Sequence, residues 1–265
     1  MKNNKILKAV IFDLSGTLID FGSLATIVAM KKIFQFKGIK ITNDIIKKDM
    51  GIKKKLHIKK ILNSPSIRLM WLNKYKRSIT QTEFIDMCLR FDKELLNAVK
   101  KKLNLIPNVK NVIKLLKNNN IKVGITTGYP KKITKIILDF LNKNKISIDS
   151  HVSDDEVKKG RPNPDMCIKN LKKLKIYNPK NCLKVDDSIS GIMEGKNAKM
   201  LTVGLISTGI QLGLSRNEYK KINKSKLNSK IKNIKKDFAN IKANFIVKDH
   251  YDFEKILKKN FLIFN

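Results

Sequence analysis

A doubly wound α/β fold, with a parallel sheet covered by helices on both faces and a helical insertion after the first strand, is what the sequence predicts. Three observations predict it. Short apolar runs recur along the chain, most of them separated by stretches of helical spacing, and that alternation builds parallel sheets. The first run ends at an aspartate followed by a Ser-Gly turn, as a strand feeding a loop would. Residues 21–102 then carry helical spacing alone.

Ala9-Val-Ile-Phe12 is apolar at every position, as a strand buried on both faces must be, and it leads into Asp13 and the turn-forming Ser15-Gly16. In the next segment Leu24, Ile27, Val28 and Phe34, and later Phe84, Met87, Cys88, Phe91 and Leu95, recur at the three- and four-residue spacing of a helix with one apolar face. An insertion at this point hangs over the carboxyl ends of the strands, where open α/β sheets bind ligands, so it reads as a lid. Residues 109–116 and 133–141 read as helices. Val123-Gly-Ile-Thr126, Leu183-Lys-Val185, Thr202-Val-Gly-Leu205 and Phe245-Ile-Val247 read as strands. Residues 220–242 are so rich in lysine and asparagine that their helices are expected mostly in solvent. The domain reading is a core of residues 1–20 and 103–265 with a helical cap of residues 21–102.

The chain has 265 residues, 42% of them hydrophobic, enough for a sizeable core. No apolar run approaches the roughly 20 residues that cross a bilayer, and residues 1–8 lack the apolar stretch of a signal peptide, so a cytoplasmic location is expected. Cys88, Cys167 and Cys182 lack metal-ligand spacing and read as ordinary buried thiols. A net charge of +35 raises nucleic-acid or membrane-surface binding. Only five of the 57 basic residues are arginine, however, the side chain suited to reading bases and gripping phosphates, and the lysines are spread along the chain. Lysine, asparagine and isoleucine, whose codons are rich in A and T, dominate together. Neither nucleic acid nor membrane is an expected partner.

Chemistry enters at the strand ends. A carboxylate at Asp13 stands at the mouth of the sheet, with the backbone N–H groups of the Gly16 loop able to cradle phosphoryl oxygens. Alone, such an aspartate could equally cap a turn. Thr126-Thr127-Gly128, Lys159-Gly160-Arg161-Pro162 and Asp186-Asp187-Ser188 also lie where strands meet loops. Together they offer a nucleophilic carboxylate, a hydroxyl donor, a fixed cation and acidic metal ligands, the parts needed for phosphoryl transfer.

These four stretches resemble the four motifs of the haloacid dehalogenase superfamily, and nearly the whole chain is similar to the phosphonoacetaldehyde hydrolases within it. The superfamily's phosphatases and mutases usually carry an aspartate two positions after the nucleophile, a general acid for the leaving oxygen; here it is Ser15. A hydroxyl does that job poorly, whereas a carbon leaving group does not call for it. Phosphonoacetaldehyde hydrolases typically place alanine there, so Ser15 is a departure, and a superfamily phosphatase acting on a small phosphate ester is the alternative. Ser23 stands where members often have cysteine, and Gly191 where some have aspartate.

Met50-Gly-Ile-Lys-Lys-Lys-Leu-His57 resembles the family's cap motif, which implies that Lys54 forms an imine with the substrate aldehyde and that His57 carries protons for it. On a helix Lys54 and His57 share a face, while Lys53 and Lys55 point elsewhere. The lysine run by itself would read as a solvated surface. Thr127-Gly-Tyr129, Gly160-Arg-Pro162, Glu194-Gly-Lys-Asn-Ala-Lys-Met200 and Gln211-Leu-Gly-Leu-Ser215 extend the resemblance without adding chemistry of their own.

The resemblance implies a Rossmann-like core with a cap, hydrolysis of the carbon–phosphorus bond of phosphonoacetaldehyde to acetaldehyde and phosphate, and a homodimer. Asp13 would attack phosphorus. Thr127 or Thr126, together with Arg161, would hold the phosphoryl oxygens, with Met50, Gly51 and Tyr129 around the substrate. Mg2+ would be held by Asp13, the backbone carbonyl of Ser15 and Asp187, with Asp186 near. Burial beside Lys53, Lys55 and Arg161 would lower the Lys54 pKa. His151 and His250 match no motif and are expected at the surface.

Overall fold

Ala9, Val10, Ile11 and Phe12 have no exposed surface, and the strand they form, β1 (Ala9–Phe12), is flanked by parallel neighbours on both sides. A computed structural model describes residues 6–263, so residues 1–5 of the polar start lie outside the described residues. Following β1, the insertion comprises α1 (Leu24–Phe36), α2 (Asn43–Lys47), α3 (Lys54–Leu62), α4 (Pro65–Tyr75) and α5 (Gln81–Lys101). The chain then alternates through α6 (Val109–Asn118), β2 (Lys122–Thr127), α7 (Lys131–Lys143), β3 (Ser150–Ser153), α8 (Asp165–Lys173), β4 (Cys182–Asp186) and α9 (Ile189–Asn197). It ends with β5 (Leu201–Leu205), α10 (Arg216–Lys221), α11 (Lys224–Asn240), β6 (Phe245–Val247) and α12 (His250–Asn260).

The six strands lie in the order β3-β2-β1-β4-β5-β6, all parallel. The chain winds outward from β1 to β3 on one side and from β4 to β6 on the other, which puts the topological switch between β1 and β4. Phe12 is paired with Ile125 on one side and Val185 on the other. Asp13, Thr126 and Asp186 therefore follow at one level of the sheet's carboxyl edge. Register, rather than proximity in sequence, brings the motifs together.

Strand β3 escaped the sequence reading. It is an edge strand paired only with β2, and Ser-His-Val-Ser offers a single apolar residue to the core, too little for a periodic signal. In the insertion α1 packs against α5, with Ile27, Met30, Ile33 and Phe34 facing Met87, Cys88, Phe91 and Leu95 in one core continuous with the sheet. Val28, read as part of the apolar face, is instead exposed. Thr80 and Glu83 form a reciprocal cap at the start of α5. Helix α11 forms with only Ile234 and Phe238 buried, as its lysine content implies. Cys88, Cys167 and Cys182 are buried free thiols. Among the described residues no helix is long and apolar enough to cross a membrane.

Candidate active site

The turn after β1 is tight because it passes close to a second carboxylate. Gly16 has φ +84°, and a Cβ there would lie 2.3 Å from Asp187 Oδ2, so the position admits only glycine. Thr208 Oγ1 donates to Gly16 O at 2.7 Å and holds the turn from the β5 side. Asp13, buried at the head of this loop, takes a bond from Arg161 Nη1 to Oδ1 at 2.9 Å. Burial pushes the Asp13 carboxyl up to about 6, with Arg161 opposing the shift and Asp186 adding to it. Ser15 Oγ donates to Asp20 Oδ2 at 2.8 Å and accepts from Ser23 Oγ at 3.1 Å.

Oxygen atoms of Asp13, Asp186 and Asp187 lie within 4.8 Å of one another. Asp187 Oδ2 accepts from the Ile210 N–H at 2.7 Å, and burial, with Asp13 and Asp186 beside it, raises its pKa well above the carboxylate range. Asp186 is different. Burial alone would raise it, but Arg161 and Lys184 outweigh burial and hold it low, with Lys184 Nζ at 2.9 Å and Ser188 Oγ at 2.7 Å. Four buried carboxylates (Asp13, Asp186, Asp187, Glu194) outnumber the three buried cations Arg161, Lys184 and Lys54. A cation would offset that excess, and hard oxygen donors suit a divalent one. Gly191 belongs to the same arrangement. A Cβ there would lie 1.9 Å from Asp186 Oδ2, so the Asp186 carboxylate fills the space that a side chain at 191 would need.

The insertion closes the site. Met50, Gly51 and Lys54 line one cavity together with Asp13, Ser15, Thr127, Tyr129, Arg161 and Asp187. Its free space is about 30 Å³. Ser190 Oγ donates to Met50 O at 3.0 Å, and Gly51, at φ +92°, passes where a Cβ would strike Ser190 Oγ at 2.2 Å. Lys54 begins α3 with only 9% of its surface exposed, and its Nζ stands 5.7 Å from the Tyr129 ring centroid. Burial, then Arg161, lowers its pKa to about 8. The expected part of Lys53 and Lys55 in that shift is not found: Lys53 Nζ donates to Val157 O at 3.1 Å and Lys55 is exposed.

Two other expectations change. Thr126 does not line the cavity; its hydroxyl accepts from Lys184 Nζ at 2.7 Å and donates to Glu194 at 3.2 Å, while Thr127 faces the cavity. In β2 consecutive side chains point to opposite faces, so only one of the two threonines could do so. His57 is fully buried behind the wall, with Nε2 donating to Ile46 O at 2.9 Å and Nδ1 without a partner. Burial and then Lys54 lower its pKa to about 4, so it is neutral at pH 7. His250, expected at the surface, is also fully buried, its Nε2 at 2.6 Å from Thr17 O.

The sequence reading missed Lys184 and Glu194, both without exposed surface beneath Arg161. A signal existed for the first. Lysine in the middle of Leu183-Lys-Val185, a strand with helices on both faces, has no solvent side and must find an anion.

Residues 7–199 match the family model of the haloacid dehalogenase-like hydrolases. The phosphonoacetaldehyde hydrolase of Latilactobacillus sakei is 35% identical over 96% of this chain and 96% of its own length. That of Bacillus cereus is 32% identical over the same shares. A crystal structure of a phosphonoacetaldehyde hydrolase-like protein from Oleispira antarctica superposes with a TM-score of 0.91 at 30% identity, covering 97% of this chain and 95% of that one.

Proposed function

We infer the reaction from one premise: the chain belongs to the haloacid dehalogenase-like hydrolases and, within them, to the phosphonoacetaldehyde hydrolases. On that premise the cavity hydrolyses the carbon–phosphorus bond of phosphonoacetaldehyde to acetaldehyde and phosphate. The observation that carries the reading is Lys54, a buried lysine with its pKa lowered to about 8, in the wall of the cavity that also holds Asp13.

Direct displacement at phosphorus would expel a bare carbanion. If the Lys54 amine condenses with the aldehyde and releases water, the protonated imine accepts the electron pair of the breaking bond. Asp13 attacks phosphorus, the carbon–phosphorus bond breaks, and the carbon leaves as an enamine on Lys54. Protonation of its carbon and hydrolysis of the imine release acetaldehyde; water cleaves the aspartyl phosphate. Thr127 and Arg161 hold the phosphoryl oxygens, and Met50, Gly51 and Tyr129 enclose the two-carbon part. His57 does not line the cavity and is neutral at pH 7, so the family resemblance alone assigns it proton transfers in the imine chemistry. Asp13, the Ser15 carbonyl and Asp187 would hold Mg2+, with Asp186 near, and the ion would offset the charge of a carboxylate approaching a phosphonate.

Residues 21–102 are assigned as a cap on the core of residues 1–20 and 103–265, because Met50, Gly51 and Lys54 of the insertion line the cavity with Asp13 and Arg161 of the core. A cytoplasmic homodimer completes the reading; sedimentation velocity reads the assembly. The deciding assay is phosphate release from phosphonoacetaldehyde, with and without magnesium, beside a panel of small phosphate esters. Magnesium-dependent release with one acetaldehyde per phosphate is expected. Release from the esters alone would favour the phosphatase alternative.

A further inference from the structure

We propose that Glu194 is the positioning residue for Arg161, holding its Nε while an outer nitrogen of the guanidinium passes from Asp13 to the phosphoryl oxygens. The proposal rests on the reading of Arg161 as the phosphoryl-binding cation.

Glu194-Gly195 carries the family resemblance, and the structure supplies a use for it. A Cβ at Gly195 would lie 2.6 Å from Lys184 Cβ, so glycine lets α9 lie directly against β4 and slides Glu194 beneath the site. There Glu194 has no exposed surface and does not line the cavity. Its Oε2 accepts from Arg161 Nε at 2.9 Å and Thr126 Oγ1 at 3.2 Å, with Lys184 Nζ at 3.5 Å.

The nitrogens of Arg161 are divided between two tasks. Nε is bound by Glu194, and Nη2 donates to Thr126 O at 2.9 Å with Asp186 Oδ2 at 3.4 Å. Only Nη1 is engaged by the nucleophile, on Asp13 Oδ1 at 2.9 Å. As they stand, the two groups occupy each other. Asp13 must be released to attack phosphorus, and Nη1 must be released to take a phosphoryl oxygen. A buried guanidinium cannot shed its proton, so throughout the exchange it needs a counter-charge that takes no part in the reaction. Asp13 cannot be that group, and Asp186 stands 3.4 Å from Nη2, is closer to Lys184 at 2.9 Å, and belongs to the acidic cluster that would hold the metal. Glu194 remains, on the edge of the guanidinium away from the cavity.

The test uses Glu194→Gln, Arg161→Lys and the double variant. It measures kcat and KM with phosphonoacetaldehyde, and inorganic phosphate as a competitive inhibitor. Glu194→Gln should lower kcat/KM by roughly ten- to hundredfold, the usual effect of removing a partner that orients a functional group. It should weaken phosphate inhibition by a similar factor. Added to Arg161→Lys, it should cost less than about threefold more, because the group it orients is already gone. Lys184→Met with Glu194→Gln keeps the buried charge balanced, so it keeps the test open if the single variant does not fold, and it should show the same loss of phosphate inhibition. Unchanged phosphate inhibition in a folded Glu194 variant, or losses that multiply in the double variant, overturns the proposal. Wild-type phosphate inhibition in Arg161→Lys sinks instead the reading beneath it. A further measurement follows exchange of the Arg161 Nε–H, assigned by the signal that Arg161→Lys removes, since Arg90 Nε is also bonded, to Asp86 at 3.0 Å. It should stay protected when phosphate is added, and free exchange would overturn the proposal.

Discussion

The Nζ of Lys54 stands 5.7 Å from the centroid of the Tyr129 ring, close enough for the ring face to favour the charged amine, yet burial prevails and holds the pKa to about 8. At pH 7 about a tenth of such a lysine is neutral, against under about one part in a thousand for an unshifted one. Imine formation needs the neutral amine, so kcat/KM for the phosphonate should climb with pH and level off near 8. Tyr129→Leu removes the attraction for the cation and should move that limb to lower pH; movement to higher pH would contradict the contact.

Borohydride added with acetaldehyde or phosphonoacetaldehyde bound should reduce an imine and leave a two-carbon label on Lys54, read by peptide mass mapping. Lys53 is tied to Val157 O and Lys55 faces solvent, so a label on either would misplace the reaction. Lys54→Arg keeps a charge but cannot form the imine and should lose phosphonate cleavage.

Asp13→Asn is nearly isosteric and should abolish turnover in a folded protein. Asp187→Asn removes a carboxylate that burial and two acidic neighbours disfavour. Without metal it should therefore raise the melting temperature, by roughly 2–4 °C per kcal/mol relieved. The same variant should shift the magnesium titrations of both activity and melting to higher concentration. An unchanged magnesium titration would place the metal elsewhere.

Gly51→Ala puts a Cβ at φ +92° and 2.2 Å from Ser190 Oγ. The strain lies in the contact between the insertion and the first turn of α9, so closure should suffer before folding does. A KM increase of at least about fivefold with a melting shift under about 5 °C is expected. A wild-type KM would mean that closure does not depend on this contact.

His250 is fully buried with its pKa lowered to about 4. Between pH 6.5 and 4 the unfolded chain binds a proton there that the folded chain excludes. Its contribution to stability is therefore complete above 6.5 and lost as pH falls toward 4. His250→Gln, which keeps a donor for Thr17 O, should flatten the pH dependence of stability in that window. Identical urea midpoints for both proteins from pH 7 to 4 would show that His250 is not excluded from protonation.

Five of the strands, the place of the insertion and the four motif ends were legible in the sequence, because each is a local pattern. Ala9-Val-Ile-Phe12 has no polar position to offer solvent, and Met50, Lys54 and His57 carry their spacing wherever the helix packs. What the strands do to one another is not local. Pairing Phe12 with both Ile125 and Val185 brings Asp13 level with Thr126 and Asp186, and the pleat then turns Thr126 toward Lys184 and Thr127 toward the cavity. Burial likewise depends on distant parts of the chain. His57 and His250 lie out of solvent and Lys184 is paired with Asp186 because helices and strands far apart in sequence close over them. The sequence by itself determined which chemical groups are present and that they end up at strand ends. Only the tertiary structure decided which of them face the cavity, which are held neutral, and that Arg161 is gripped from behind by Glu194, since those follow from distances and dielectric environment across the sheet.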